Sequence, residues 1–191
     1  MARDTSVYPG ERKLLEDSRL LDRSMIRRQL SMISRLHTLL TRQGIDHWLM
    51  GGWAVDFHAG RITRDHDDVD FAVWHNNLPR IRELLQGDGW HHSPKADEDG
   101  GTGYERNKVR LELTYLVRGE DGTVYTPLKE GRAAWYPDAL GDDIRELGKA
   151  RSYVVSLASI RRSKMSPRSD PEEGAKDRKD SRVLEELAGK S

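Results

Sequence analysis

The stretch Trp48-Leu49-Met50-Gly51-Gly52-Trp53-Ala54-Val55-Asp56-Phe57, followed beyond Gly60 by Asp68-Val69-Asp70-Phe71-Ala72-Val73, decides the fold class of this chain. A short apolar run that meets two glycines, then a second apolar run that closes near Gly60, reads as a strand, a glycine turn and a helix. In the next run Val69, Phe71 and Val73 alternate with Asp68, Asp70 and Ala72, the two-residue period of a strand with one apolar face. Toward the N-terminus, Leu14, Leu21, Met25, Ile26, Leu30, Ile33, Leu36 and Leu40 recur every three or four residues, which predicts one long amphipathic helix or two over 11–42, stopped by Gly44. Toward the C-terminus, a helix over Leu78 to Leu85 ends at Gly87 and Gly89, and 97–103 reads as a loop in which Gly101-Thr102-Gly103 is a flexible segment.

Val109 to Val117 is the clearest strand, with Val109, Leu111, Leu113, Tyr115 and Val117 on one face and Arg110, Glu112 and Thr114 on the other. Glu120-Asp121-Gly122 signals a hairpin into Thr123-Val124-Tyr125. After an irregular stretch, Tyr153-Val154-Val155 reads as a last strand feeding a helix from Leu157 to Lys164. Pro167 and Pro171 mark 166–174 as a mobile loop before a final helix, Lys176 to Leu187. The expected architecture is α/β (α+β): a short mixed sheet flanked by helices, with a small helical C-terminal part. The expected organisation is an N-terminal helical segment (1–42), a catalytic core (43–150) and a C-terminal strand and helix part with a basic tail (151–191).

The 191 residues suit one ordinary domain. Hydrophobic residues make up 36% and charged residues 34%, the polar side of globular. No apolar run approaches the ~18 residues of a membrane span and no signal peptide follows Met1, so the expectation is a cytoplasmic protein without a membrane partner. The absence of cysteine excludes a disulfide framework, a thiolate zinc site and a cysteine nucleophile. The zero net charge conceals a partition of +4 over 1–42, −8 over 43–144 and +4 over 145–191. A segment that acidic repels itself unless cations or the basic flanks lie against it.

Asp68 and Asp70, two apart on a strand, present their carboxylates on one face with Cα atoms about 6.5–7 Å apart. Alone, such a pair is also what a solvated edge strand presents. Glu112, on the polar face of the other clear strand, changes the weighting: if the strands are adjacent, three hard oxygen donors converge, a set suited to one or two Mg²⁺ ions. A cross-strand salt bridge is the alternative role for Glu112. Gly51-Gly52 at a helix N-terminus lets backbone N–H groups approach an anion, a phosphate seat without a Walker sequence. His58, His91 and His92 lack metal-ligand spacing and read as surface residues. Trp90, Trp135 and Tyr136 belong either to the core or to a stacking surface for a base or sugar.

Gly51-Gly52-Trp53-Ala54-Val55-Asp56 and Gly60-Arg61-Ile62-Thr63-Arg64-Asp65-His66-Asp67-Asp68-Val69-Asp70 resemble the signature of small antibiotic nucleotidyltransferases. These are the aminoglycoside 2″-O-adenylyltransferase and lincosamide nucleotidyltransferase group of the DNA polymerase β-like superfamily. The resemblance implies a polymerase β-like nucleotidyltransferase fold and Mg²⁺-dependent transfer of a nucleoside monophosphate, AMP from ATP or the equivalent from another nucleoside triphosphate, to a hydroxyl of a small-molecule antibiotic of the aminoglycoside or lincosamide type, with release of pyrophosphate. Asp68, Asp70 and Glu112 would be the catalytic and Mg²⁺-binding acids, Glu112 either sharing a metal or acting as general base. Gly51, Gly52, Arg64 and His66, with Lys164, Lys176 and Lys179 from the C-terminal part, would contact nucleotide. The wider superfamily often carries serine where Gly52 stands. The acidic clusters Asp97-Glu98-Asp99 and Asp138, Asp142, Asp143 would suit a polycationic aminoglycoside. The alternatives are a toxin-type enzyme acting on tRNA or protein through basic pairs such as Arg27-Arg28 and Arg161-Arg162, or a nucleotide-binding domain without catalysis.

Overall fold

The structure is a computed structural model that describes residues 22–94, 99–164 and 171–189. The elements are α1 (Arg23–Arg42), β1 (His47–Leu49), α2 (Gly51–Ala59), β2 (Asp68–Trp74), a 3₁₀ turn (His75–Asn77), α3 (Leu78–Gly87), β3 (His91–Ser93), β4 (Gly101–Arg106), β5 (Val109–Arg118), β6 (Val124–Pro127), β7 (Arg132–Ala134), β8 (Ile144–Leu147), β9 (Ala150–Tyr153), α4 (Leu157–Lys164) and α5 (Pro171–Ala188). The main sheet runs β1-β2-β5-β4-β3, with β6 and β7 continuing from the far end of β5. Within this sheet, among the described residues, β2 and β5 pair in parallel and the other ladders are antiparallel. The expectation of a mixed α/β fold with a short mixed sheet holds.

Periodicity explains α1. Ile26, Ile33, Leu36 and Leu40 are buried along one face, and Asp22 caps the first turn by accepting from the Ser24 and Met25 amides, both at 3.0 Å. The expected helical residues 11–21 lie outside the described residues. Helix α2 is enclosed from Gly52 to Phe57, so its apolar run reflects burial all round rather than one face. Helices α1, α4 and α5 share a single core cluster with the sheet, from Ile26 to Leu184.

Several expectations are corrected. Gly101-Thr102-Gly103 is strand β4, paired with β5 through Gly103↔Glu112; glycines weakened the pattern, and the neighbouring strand supplied the ladder. The final helix begins at Pro171, a residue suited to a first helical turn, so Pro171 to Gly174 is helical; residues 165–170 lie outside the described residues. The irregular stretch contains β7 and the β8-β9 hairpin. Tyr153 ends β9, while Val154 bridges to Leu49. Along β5 the alternation breaks at Leu116, which is buried where Tyr115 was expected, because beyond Thr114 the strand leaves β4 and takes up β6. Trp90 is a core residue, 2% exposed.

Between α1 and β1, His37 and His47 form a buried pair, Nδ1 to Nε2 at 2.9 Å. His47 Nδ1–H donates to the Ile45 carbonyl at 2.8 Å, so its Nε2 accepts from His37 and both rings are neutral. Burial first, then the proximity of the His47 ring and of the Arg151 charge, disfavours a proton on His37 and pushes its pKa down to about 4. A histidine depressed on folding contributes stability that is fully present above its unfolded pKa near 6.5 and is lost as pH falls toward the folded value. We therefore expect melting experiments to show stability falling by about 2 kcal/mol between pH 6.5 and 5, and His37→Phe to flatten that fall.

Candidate active site

Parallel pairing of β2 with β5 assembles the acids. Asp68 is the register partner of Arg110, and Asp70 of Glu112, so the polar positions of both strands share one face while Val69, Phe71, Leu111 and Leu113 are buried on the other. One carboxylate oxygen from each of Asp68, Asp70 and Glu112 lies within 4.8 Å of the others. Opposite ligands of a Mg²⁺ ion are separated by about 4.2 Å, so these half-buried hard oxygens fit such an ion with small side-chain adjustments. Arg110 tempers the cluster by donating to Asp68 at 3.2 Å.

The glycine turn sits directly against the acids. The Met50 amide donates to the Asp70 carbonyl at 2.9 Å, and Gly51 has φ +64°. A Cβ on Gly51 would lie 2.1 Å from Asp70 Oδ2, so only glycine fits on both grounds. No side chain caps the start of α2, leaving its first-turn N–H groups for an anion. At Gly52 a Cβ would lie 2.1 Å from Arg64 Nη2 and 2.7 Å from His66 Nδ1. The space a serine side chain would take is filled by the Arg64 guanidinium.

The loop before β2 is pinned from beneath. Asp56, fully buried, accepts from the Thr63 hydroxyl at 2.5 Å and amide at 3.2 Å, and its other oxygen lies 2.7 Å from His66 Nε2. The His66 ring stacks on Trp53, centroids 4.3 Å apart, and its carbonyl accepts from Gln29 of α1 at 2.8 Å. Asp56 thus organises the loop.

Helices α4 and α5 contribute cations. Arg64 Nε and Nη2 donate to the two oxygens of Asp180 at 2.8 and 3.0 Å. Lys164 reaches Asp177 at 2.5 Å and Asp180 at 2.9 Å, and Lys176 meets Asp67 at 2.6 Å. Burial pushes the Asp180 carboxyl up, but the hydrogen bond from Arg64 and the charges of Lys164 and Arg64 outweigh it and hold the group below the usual carboxylate range. Lys176 likewise holds Asp67 low.

A cavity of about 370 Å³ joins these parts, lined by Met50, Gly51, Gly52, Arg64, His66, Asp67, Asp68, Asp70, Arg110, Glu112, Lys164 and Lys176. Of the residues expected to contact nucleotide, Lys179 alone is not brought in; it is exposed on α5. Asp67, Arg110, Asp177 and Asp180 were not anticipated. A signal existed: Asp177 and Asp180 continue, at helical spacing, the stripe of Val183, Leu184 and Leu187, so acids on the inward face of α5 demanded cationic partners. His91 and His92 are exposed, and His58 lies 2.9 Å from the Val155 carbonyl. Trp135 donates to Thr126, and Tyr136 is exposed beneath the Arg162 guanidinium. A larger apolar groove, about 760 Å³, runs along α1 without converging carboxylates.

The family model described as aminoglycoside-2″-adenylyltransferase matches residues 32–162, a span holding the glycine turn and all three acids. The chain belongs to the aminoglycoside-2″-adenylyltransferase family. Two curated relatives, 2″-aminoglycoside nucleotidyltransferases of Escherichia coli and Klebsiella pneumoniae, are each 38% identical over 62 residues, 31% of this chain. The match covers 35% of each relative, about a third of its length. Among solved structures, the chain is similar to the lincomycin-bound lincosamide antibiotic adenylyltransferase LnuA, with TM-score 0.62, 15% identity and coverage of 87% of this chain and 98% of that one. It is also similar to ANT(2″)-Ia in complex with adenylyl-2″-tobramycin, with TM-score 0.62, 16% identity and coverage of 84% and 93%. At these identities the structural likeness shows the family's nucleotidyltransferase fold. Among the described residues no helix is long and apolar enough to cross a membrane.

Proposed function

We propose that this protein transfers AMP from ATP to a hydroxyl of an aminoglycoside or lincosamide antibiotic, releasing pyrophosphate, with Mg²⁺ held by Asp68 and Asp70. The observation that carries this reading is the convergence of Asp68, Asp70 and Glu112 beside the uncapped N-terminus of α2. The ion, when bound, neutralises negative charge on the triphosphate and on the oxygens around the attacked phosphorus. The amides after Met50 and the cations Arg64, Lys164 and Lys176 bind the triphosphate and orient it across the carboxylate face. Glu112 takes the proton of the acceptor hydroxyl; the hydroxyl oxygen bonds to the α-phosphorus as the bond to pyrophosphate breaks. Positioning and charge neutralisation supply most of the rate. The −8 charge of 43–144 and the exposed Asp142 and Asp143 favour a polycationic acceptor, which makes an aminoglycoside the first substrate to try.

The test is incubation of the pure protein with Mg²⁺, ATP and a panel of aminoglycosides and lincosamides, read by mass spectrometry. A product heavier by one adenylyl group is expected for at least one member; none with any member overturns the proposal. With the substrate found, Glu112→Gln is expected to lower kcat by about 10²–10⁴-fold while leaving nucleotide binding near that of the unaltered protein.

A further inference from the structure

Arg64 and Lys164 line the cavity, whereas Asp180, the carboxylate that joins them, does not. The Asp180 side chain is 1% exposed and lies behind both cations, accepting from Arg64 on both oxygens and from Lys164 on one. In front, Arg64 Nη2 occupies the space a Cβ on Gly52 would take, against the first turn of α2. An arginine side chain left to itself samples many rotamers, and a two-point contact to a carboxylate fixes both the position and the plane of its guanidinium.

We infer that Asp180 is a positioning residue for the triphosphate: it aims Arg64 and Lys164 at the anion seat above Gly51 and Gly52 without touching the nucleotide itself. The inference rests on reading the cavity as a nucleotide site. It gives α5 a second part in substrate recognition besides Lys176, because at position 180 the helix carries no phosphate ligand and acts through residues of the β2 loop and α4. Asp177 also holds Lys164, at 2.5 Å, whereas Arg64 has Asp180 and the Asp65 carbonyl as its partners. Loss of Asp180 therefore falls mainly on Arg64.

The sign of the effect separates positioning from simple charge. Replacing a buried carboxylate near a phosphate site by an amide removes a repulsion, so a purely Coulombic role predicts tighter binding of an anion. Positioning predicts weaker binding. The experiment is calorimetric titration of the full chain with ATP and Mg²⁺ in the absence of acceptor. Asp180→Asn is expected to raise Kd about ten-fold, the scale on which outer partners of a site act, with the KM for acceptor unchanged within two-fold. Arg64→Lys, which keeps the charge but cannot bridge both oxygens, is expected to reproduce most of that loss, and the double variant to be no weaker than Arg64→Lys by more than two-fold. Leu184→Ala, which loosens the buried face of α5, is expected to lower the melting temperature and leave Kd within two-fold.

Unchanged or tighter binding by Asp180→Asn overturns the inference, as does a loss in Leu184→Ala equal to that in Asp180→Asn, which would reduce the residue to a helix anchor. If Asp180→Asn does not fold, Arg64→Lys decides alone: an unaltered Kd overturns the inference. Failure of the unaltered protein to bind ATP with Mg²⁺ overturns the nucleotide reading itself, an outcome visible before any variant is made.

Discussion

Asp70→Asn is expected to reduce nucleotidyl transfer by about 10³-fold, roughly 4 kcal/mol of transition-state stabilisation, without destabilising the protein free of metal and nucleotide. The two halves of this expectation have one cause. Asp70 stands opposite Glu112 in the β2–β5 register, and with Asp68 the three acids face one another within 4.8 Å. Like charges that close raise the free energy of the site when it holds no cation, so removing one relieves repulsion while removing an oxygen of the proposed metal site. Melting curves supply the check. The unaltered protein with ATP and Mg²⁺ at about 100 times Kd should gain about 2.7 kcal/mol, and the variant should gain little. A variant that loses activity and melts lower in the absence of ligand would instead show that Asp70 serves the fold; one that keeps its Mg²⁺-dependent gain would show that the metal sits elsewhere.

Gly51→Ala is expected to damage both stability and activity. Its φ of +64° costs an alanine roughly 1–2 kcal/mol, and the added methyl would fall 2.1 Å from Asp70 Oδ2, displacing that carboxylate. For a chain of this size a loss of 2 kcal/mol lowers the melting temperature by about 4–8 °C, readable by calorimetry, and activity should fall with the Asp70 geometry. Gly52→Ala separates the two contributions. It carries no positive φ, and its methyl meets Arg64 and His66 instead of Asp70. Its expected signature is a raised KM for ATP at a smaller cost in stability. Equal melting temperatures for Gly51→Ala and the unaltered protein would mean that the turn relaxes freely and that the close approach of Asp70 is incidental.

What the sequence made legible was whatever strict periodicity or unusual residue types carried. The alternation through Asp68 to Val73 and Val109 to Leu113 identified both strands and the faces that hold the acids, and the glycine pair marked the strand-to-helix turn beside which the anion seat is proposed. The adjacency of β2 and β5 was a conditional in that reading, since a strand's own pattern does not name its neighbour; the parallel register supplied it. Gly101 to Gly103 was illegible because its strand character comes from pairing with β5 rather than from propensity. The short strands β7, β8 and β9 were too brief to show a period. Lys179 illustrates the limit on single charges: in Lys176-Asp177-Arg178-Lys179-Asp180 every residue is ionisable, and only the docking of α5 decides that 176 faces the cavity and 179 faces water. Asp180 was legible in principle, on the inward stripe of its helix, but its partner Arg64 lies 116 residues away in sequence.

The register of β2 against β5 also determines where this chain tolerates change in length. Between the two strands run α3, β3 and β4 with their connecting turns, and an insertion in those turns adds only a slowly growing closure entropy while leaving 68, 70 and 112 on their shared face. One residue inserted within 109–111 would instead rotate Glu112 toward the apolar side and turn Leu111 outward. The reactive face is thus buffered against drift in the connections around it, and its fragility is confined to two segments a few residues long.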